Sequence, residues 1–128
     1  GCATPVVQTY SGEPKDTRQI AIVKGGASEF ANGKYFASFA QYAELEAGKK
    51  PEFKKMGDAF AGYAKELHML PGRYAVMTYC AIGNHFAFPI VNLQVEAGAT
   101  YEITCAPVAD NLSTVRASAR RIDAQPKQ

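Results

Sequence analysis

Apolar and polar residues alternate most clearly in the second half of the chain. Between residues 90 and 96 one of the two alternating sets is uniformly apolar, whereas the other is mostly polar. Because successive side chains of a strand point to opposite faces, this pattern predicts a long strand with one buried face and one wet face. The predicted buried set is Val91, Leu93 and Val95, and the opposite set is Ile90, Asn92, Gln94 and Glu96.

Other stretches rich in β-branched and aromatic residues predict further strands, separated by turn residues. Asn32-Gly33 predicts a hairpin, because this dipeptide suits a tight turn between antiparallel strands. Pro71-Gly72 and Gly98 mark two further turns. The pattern as a whole predicts a mainly β fold; that its strands form an antiparallel β-sandwich is implied by the resemblance described below. The predicted strands cover residues 19–24, 34–39, 73–80, 86–96, 100–106 and, at an edge, 114–120.

The middle of the chain, residues 39–67, supports two interpretations. Its large apolar residues recur at helical spacing after Pro51, but Gly57 and Gly62 would each destabilise a helix by about 1 kcal/mol. The competing interpretation is a strand over residues 62–69, paired with the strand after Pro71-Gly72. We favour this strand, which leaves room for one short helix within residues 40–62. The helical set is Phe53, Met56, Phe60, Ala64 and Leu67, and the strand would place Tyr63, Lys65, Leu67 and Met69 on one face.

Composition limits the size and class of the protein. The chain has 128 residues, 47% of them hydrophobic and 20% charged, which is enough for one continuous core. A net charge of +2 is too small to indicate a nucleic-acid-binding protein. We expect a flexible tether over residues 1–18, a single sandwich domain over residues 19–120, and a disordered tail over residues 121–128.

Two of the three cysteines each end a predicted strand, Cys80 and Cys105. An odd cysteine count in an exported protein suggests one pair and one residue with another role. A bond between these two would close a loop of about 25 residues and contribute roughly 3–4 kcal/mol of stability. We therefore expect a disulfide; the alternative is two buried free thiols.

The third cysteine, Cys2, lies at the start of the chain after Gly1. Gly-Cys resembles the end of a bacterial lipobox, in which the cysteine becomes the lipidated first residue of the mature protein. The resemblance implies a lipid anchor at Cys2, and the polar stretch after it, with Pro5 and Pro14, suits a tether between membrane and domain. The alternative is a frayed terminus with a free thiol.

A longer resemblance covers about 40 residues, from Leu67 to Ala106. Its motifs are Leu70-Pro71-Gly72-Arg73-Tyr74, two intervening strands, and Ala97-Gly98-Ala99-Thr100-Tyr101. This order resembles small bacterial envelope lipoproteins of uncharacterised function and transthyretin-like, Ig-like or PEGA-like β-sandwich modules. The resemblance implies architecture and says little about activity, because the matching residues form turns and core.

Catalytic chemistry has little support in the sequence. The two histidines, His68 and His85, do not form a metal-binding motif, and no serine stands in a Gly-x-Ser-x-Gly context. We therefore expect no catalytic residues, no metal and no cofactor. A small enzyme working through His85 and a nearby carboxylate is the minor alternative.

Binding is the better-supported class of function. The strongest candidates are a lysine-rich segment around one aromatic residue and the residues that leave the turn at 82–85; they are Lys49, Lys50, Phe53, Lys54, Lys55, His85 and Phe86. The lysines could contact anionic lipid headgroups or an acidic partner, or they could simply keep a surface loop soluble. We expect a non-enzymatic lipoprotein on the periplasmic face of the outer membrane that binds a protein partner or an envelope component. A periplasmic hydrolase inhibitor or small-ligand-binding module is the alternative.

Overall fold

The computed structural model describes residues 6–31, 33–58, 60–108 and 111–123, with the side chains of residues 111–113 excepted. Within these ranges the chain forms eleven strands and no helix. The strands are β1 (Val6–Gln8), β2 (Ala21–Gly25), β3 (Ala27–Phe30), β4 (Gly33–Glu44), β5 (Lys54–Lys55), β6 (Glu66–Met69), β7 (Gly72–Ile82), β8 (His85–Ala87), β9 (Ile90–Val95), β10 (Thr100–Val108) and β11 (Asn111–Arg121).

The strands form two sheets that pack into a β-sandwich, so the predicted fold class is confirmed. The first sheet has the order β1-β6-β2-β10-β11. The second has the order β3-β4-β7-β8, with β5 added to β4 and β9 added to β7. Most neighbours are antiparallel, but β1 pairs with β6, and β10 with β2, in parallel.

A disulfide between Cys80 and Cys105 connects the two sheets. Cys80 lies in β7 of the second sheet and Cys105 in β10 of the first, and their Cα atoms are 6.0 Å apart. Both residues are fully buried, among core side chains that include Phe39, Val76 and Ile103. The expected disulfide is thus confirmed.

The structure decides between the two interpretations of the middle of the chain. Within residues 40–58 and 60–62 there is no helix, because β4 and β5 occupy part of this stretch and backbone groups near residues 56 and 64 bond to β4. The Met56 amide donates to the Ala40 carbonyl at 2.8 Å, and the Phe39 amide donates to the Ala64 carbonyl at 2.7 Å. Leu67 and Met69 are buried on one face of β6, as predicted, but Lys65 is exposed.

The predicted pairing of the strand that ends at Met69 is wrong. This strand, β6, pairs with β1 and β2 in the first sheet, whereas β7 after Pro71-Gly72 pairs in the second. The turn at Pro71-Gly72 therefore carries the chain from one sheet to the other and does not close a hairpin.

The strand predicted over residues 86–96 has different limits in the structure. The stretch predicted as one strand over residues 86–96 is two strands, β8 and β9, interrupted at Phe88 and Pro89 because proline has no amide hydrogen for the ladder. Within β9 the predicted face is confirmed, since Leu93 and Val95 are buried.

The hairpin at Asn32-Gly33 is confirmed in its strands, because β3 and β4 pair antiparallel. Asn32 itself lies outside the described residues.

The folded part of the chain begins before residue 19. Val6–Gln8, within the stretch predicted as a tether, pairs in register with Glu66 to His68. The Thr9 amide then donates to the His68 carbonyl at 3.0 Å, and the Tyr42 hydroxyl donates to the Thr9 carbonyl at 3.1 Å. Cys2, and most of the tail predicted over residues 121–128, lie outside the described residues.

Candidate binding site on the outer face of the second sheet

The outer face of the second sheet carries a group of aromatic side chains. In β7, Tyr74, Val76 and Cys80 are buried in the core, so the alternation places Tyr79 on the opposite, outer face. Tyr79 lies opposite Ser38 of β4, and its neighbour Ala81 lies opposite Phe86 of β8.

Four rings contact one another on this face and are called here the aromatic cluster: Tyr63, Tyr79, Phe86 and Phe88. Tyr63 and Tyr79 are stacked, with ring centroids 4.5 Å apart and 28° between the planes. Phe88 lies edge-on to Tyr63 at 6.1 Å and to Phe86 at 5.8 Å. Such ring arrangements contribute about 0.5–1.5 kcal/mol per pair beyond area burial, so the cluster forms a coherent surface.

The cluster remains open to solvent. Phe86 is 62% exposed and Phe88 is 39% exposed, while both tyrosines are half-buried. Phe36 and Ile90 are also exposed; Phe36 lies opposite Ala81, and Ile90 opposite Met77, so both extend the apolar surface along the same sheet face. Contiguous apolar surface of this kind marks interaction sites in soluble domains.

Two clefts meet at the aromatic cluster and share Asp58, Tyr63 and Phe88. The larger has a volume of about 490 Å³ and the smaller about 320 Å³. The larger cleft is lined by Ser38, Asp58, Gly62, Tyr63, Lys65, Tyr79, Phe86 and Phe88. The smaller is lined by Ala40, Gln41, Lys55, Gly57, Asp58, Tyr63, Met77 and Phe88. Apolar clefts with a few polar groups at their edges are typical of binding sites.

The polar groups at the clefts are available to a ligand. No hydrogen bond of the Tyr63 or Tyr79 hydroxyl occurs within the described part of the chain. Lys55 and Lys65 are exposed, one in each cleft. One oxygen of Asp58, in contrast, is occupied, because Oδ1 accepts hydrogen bonds from the Phe60 and Ala61 amides.

The predicted lysine segment divides into two parts. Lys49, Lys50 and Lys54 line a third cavity of about 440 Å³, in which Glu44, Glu46 and Glu52 offset their charge. The Lys49 ammonium and the Glu46 carboxylate are 3.1 Å apart in this cavity. Lys55 instead lies at the smaller cleft, and Phe53 is 37% exposed. The segment therefore does not form one continuous basic surface.

The two histidines have different environments. His85 is exposed at the start of β8, and no hydrogen bond or ion pair involves it among the described residues. His68 is half-buried, and its Nε2 lies 2.7 Å from Oε2 of Glu66. In the part of the chain that the structure describes, no three His, Cys, Asp or Glu side chains come together as metal ligands.

The side chains whose pKa is shifted lie outside the aromatic cluster. Burial raises the pKa of Tyr74, in the core, to about 12. Hydrogen bonds from Arg18 lower the pKa of Asp16, and a hydrogen bond from Arg121 lowers that of Asp123.

Part of this site was predicted from the sequence. Phe86 was predicted and belongs to the cluster, and His85 lies next to it, whereas Tyr63, Tyr79 and Phe88 were not predicted. The sequence matches no protein-family model, and no curated protein or solved structure resembles the chain significantly. Within the described residues there is also no helix long and apolar enough to cross a membrane.

Proposed function

We propose that this protein is a non-enzymatic binding module of the bacterial cell envelope, anchored by a lipid on Cys2 to the periplasmic face of the outer membrane. Its aromatic cluster binds a protein partner or another envelope component. The observation that carries this proposal is the group of four mutually contacting, solvent-accessible rings on the outer face of the second sheet.

Aromatic side chains supply much of the binding energy at protein interfaces, because they bury a large area with little loss of side-chain entropy. In the cluster, the four rings hold one another in place before any partner arrives. A partner therefore meets a preformed surface, which lowers the free-energy cost of association.

Two observations support the envelope location. Gly1-Cys2 resembles a processed lipobox, and the disulfide between Cys80 and Cys105 is typical of proteins that fold in an oxidising compartment. The periplasm is such a compartment.

Site-directed photo-cross-linking tests the binding site. A photoreactive phenylalanine analogue replaces Phe86 in one strain and Phe53, a less exposed phenylalanine in the lysine segment, in another. We expect one discrete adduct from position 86, identified by mass spectrometry, and none from position 53. The adduct should weaken when Phe88→Ser is added, because Phe88 contacts Phe86 within the cluster. Adducts from position 53 alone would contradict the proposal and would assign binding to the lysine segment.

The anchor is tested separately. Globomycin treatment or a Cys2→Ala change should leave the protein unprocessed or release it from the membrane fraction. Wild-type protein that is soluble and carries no lipid by mass spectrometry in its host would contradict the anchor.

The clefts also favour a second candidate function, a periplasmic hydrolase inhibitor or small-ligand-binding module. The larger cleft, of about 490 Å³, has the size of a small-molecule site and is lined by Phe86 and Phe88. Thermal denaturation in the presence of soluble envelope extracts, separated into small-molecule and protein fractions, distinguishes the candidates. A shift caused by the small-molecule fraction would favour the second, and co-purification of one stoichiometric hydrolase would favour an inhibitor.

A further inference from the structure

A tight turn beside the two clefts presents a fully exposed phenylalanine. The Gly62 amide donates to the Asp58 carbonyl at 2.8 Å, and Asp58 Oδ1 accepts from the Phe60 amide at 2.9 Å. Phe60 lies within this turn and is fully exposed to solvent. Phenylalanine is one of the apolar side chains that enter the headgroup region of a bilayer, and here nothing in the described residues covers it.

The chain leads from this turn into the end of β6 beside which the first described residue lies. Val6, the first described residue, is in register with Glu66, and adjacent strands lie about 4.8 Å apart. Phe60 precedes Glu66 by six residues, at most about 21 Å of fully extended chain, and Cys2 precedes Val6 by four, at most about 14 Å. A lipid on Cys2 would therefore hold Val6, and with it the start of β6, within about 14 Å of a bilayer surface.

The charge around the turn complements an anionic surface. Lys55 lies in the cleft on one side and Lys65 in the cleft on the other, and both are exposed. The nearby carboxylate of Asp58 already accepts two backbone hydrogen bonds through Oδ1. Exposed lysines near a membrane are attracted to anionic lipids.

We infer that the turn around Phe60, with Lys55 and Lys65, is a second membrane contact that inserts into an anionic bilayer interface and orients the anchored domain. This inference rests on the proposed lipid anchor at Cys2. A single apolar ring and two lysines would bind a membrane weakly by themselves, but the anchor makes the contact intramolecular and thereby raises its effective concentration.

The absence of tryptophan from the sequence makes this contact directly measurable. Phe60→Trp places a single fluorophore in the turn. Ala97→Trp is the matched control. Ala97 is exposed near the start of β2, where the Gly98 amide donates to the Ile20 carbonyl, whereas Glu66 and Val6 lie beside the other end of β2. Both variants are purified in lipidated form, verified by mass spectrometry, and reconstituted into vesicles of phosphatidylcholine with phosphatidylglycerol, with and without brominated acyl chains.

We expect the tryptophan at position 60 to emit at shorter wavelength and to be quenched by brominated lipid severalfold more than the tryptophan at position 97. Adding Lys55→Gln and Lys65→Gln should reduce that quenching, as should vesicles of phosphatidylcholine alone. Equal, weak quenching at both positions in verified lipidated protein would overturn the inference and leave the anchor intact. Protein that carries no lipid would overturn both. Shielding of position 60 from acrylamide only when envelope proteins are added would assign the turn to a protein partner and would also overturn the membrane contact.

Discussion

Tyr35 and Tyr74 are both buried in the core, but only one of their hydroxyls has a partner. The Tyr74 hydroxyl donates to the Leu70 carbonyl at 2.8 Å, whereas no partner is present for the Tyr35 hydroxyl among the described residues. A buried polar group without a partner lowers stability, and removing it can be neutral or favourable. The same substitution should therefore have different effects at the two positions.

We expect Tyr74→Phe to lower the free energy of unfolding by about 1 kcal/mol near pH 7, because the Leu70 carbonyl loses its donor. Tyr35→Phe should leave it unchanged or raise it. Urea denaturation of the two variants beside the wild type measures both effects. A loss at position 35 as large as that at position 74 would contradict the assignment of partners.

The raised pKa of Tyr74 makes the difference in stability between the wild type and Tyr74→Phe depend on pH. Burial chiefly, with the charges of Glu44 and Tyr42, raises this pKa from 10.0 to about 12 in the folded protein. The unfolded chain releases the phenol proton near pH 10, while the folded chain retains it. The contribution of the neutral Tyr74 phenol to the free energy of unfolding is therefore complete below pH 10 and is lost as the pH rises through 12. Repeating the denaturations between pH 9 and 11 should show a steeper decline for the wild type than for Tyr74→Phe.

At the residue scale, part of the aromatic cluster could have been read from the sequence. Once Cys80 is taken as buried in a disulfide, strict alternation places its neighbour Tyr79 on the outer face of the strand. Tyr63 could not be placed in this way, because it lies outside the regular strands and reaches Tyr79 only through the pairing of Phe39 with Ala64. Contacts set by such long-range pairing leave no periodic signal.

At the scale of single elements, β1 departs furthest from the sequence prediction, because a segment predicted as tether forms a strand. Its sequence, Val6-Val7-Gln8, is too short to show periodicity, and prolines on both sides suggested a tether. The strand forms because β6 leaves an edge open, and edge backbone groups readily pair with another segment. Pro89 shows the reverse case, in which a single residue divides into two strands a stretch that the pattern predicted as one.

Two truncations test whether β1 belongs to the folded domain. Removing residues 1–5 leaves β1 whole, whereas removing residues 1–9 also deletes its ladder and the Thr9 contacts to His68 and Tyr42. We expect the longer truncation to be less stable than the shorter by on the order of 2–3 kcal/mol, at about 1 kcal/mol per net hydrogen bond. Thermal denaturation compares the two directly. Equal melting temperatures would support a tether that extends through residue 9.

At the scale of the whole molecule, the sandwich depends on how its two sheets are joined. Besides core packing, the chain crosses between the sheets four times along the described strands, once at the Pro71-Gly72 turn, and the disulfide connects β7 to β10. The sequence predicted the cysteine pair from the strands that the two cysteines end, and it predicted the sandwich through a resemblance carried by turn motifs. It did not predict which strands share a sheet, since β6 and β7 are neighbours in sequence but not in a sheet.

The disulfide should therefore make a large contribution to the stability of the whole domain. We expect Cys80→Ala with Cys105→Ala to lower the free energy of unfolding by roughly 3–4 kcal/mol, because the unfolded chain loses a cross-link between residues 25 apart. Urea denaturation should also give a larger m-value, since an unfolded chain without the cross-link exposes more surface.

Wild-type protein reduced with dithiothreitol is the matched control for the double variant, because it lacks the bond but keeps both sulfur atoms in the core. Similar losses in the two samples would assign the effect to the cross-link, whereas a loss confined to the double variant would assign it to packing around Cys80 and Cys105. A domain that loses this much stability on reduction is suited to an oxidising compartment such as the periplasm. If reduction left both the stability and the m-value unchanged, the bond would contribute nothing to the fold, and the argument from the disulfide to the cell envelope would lose its physical basis.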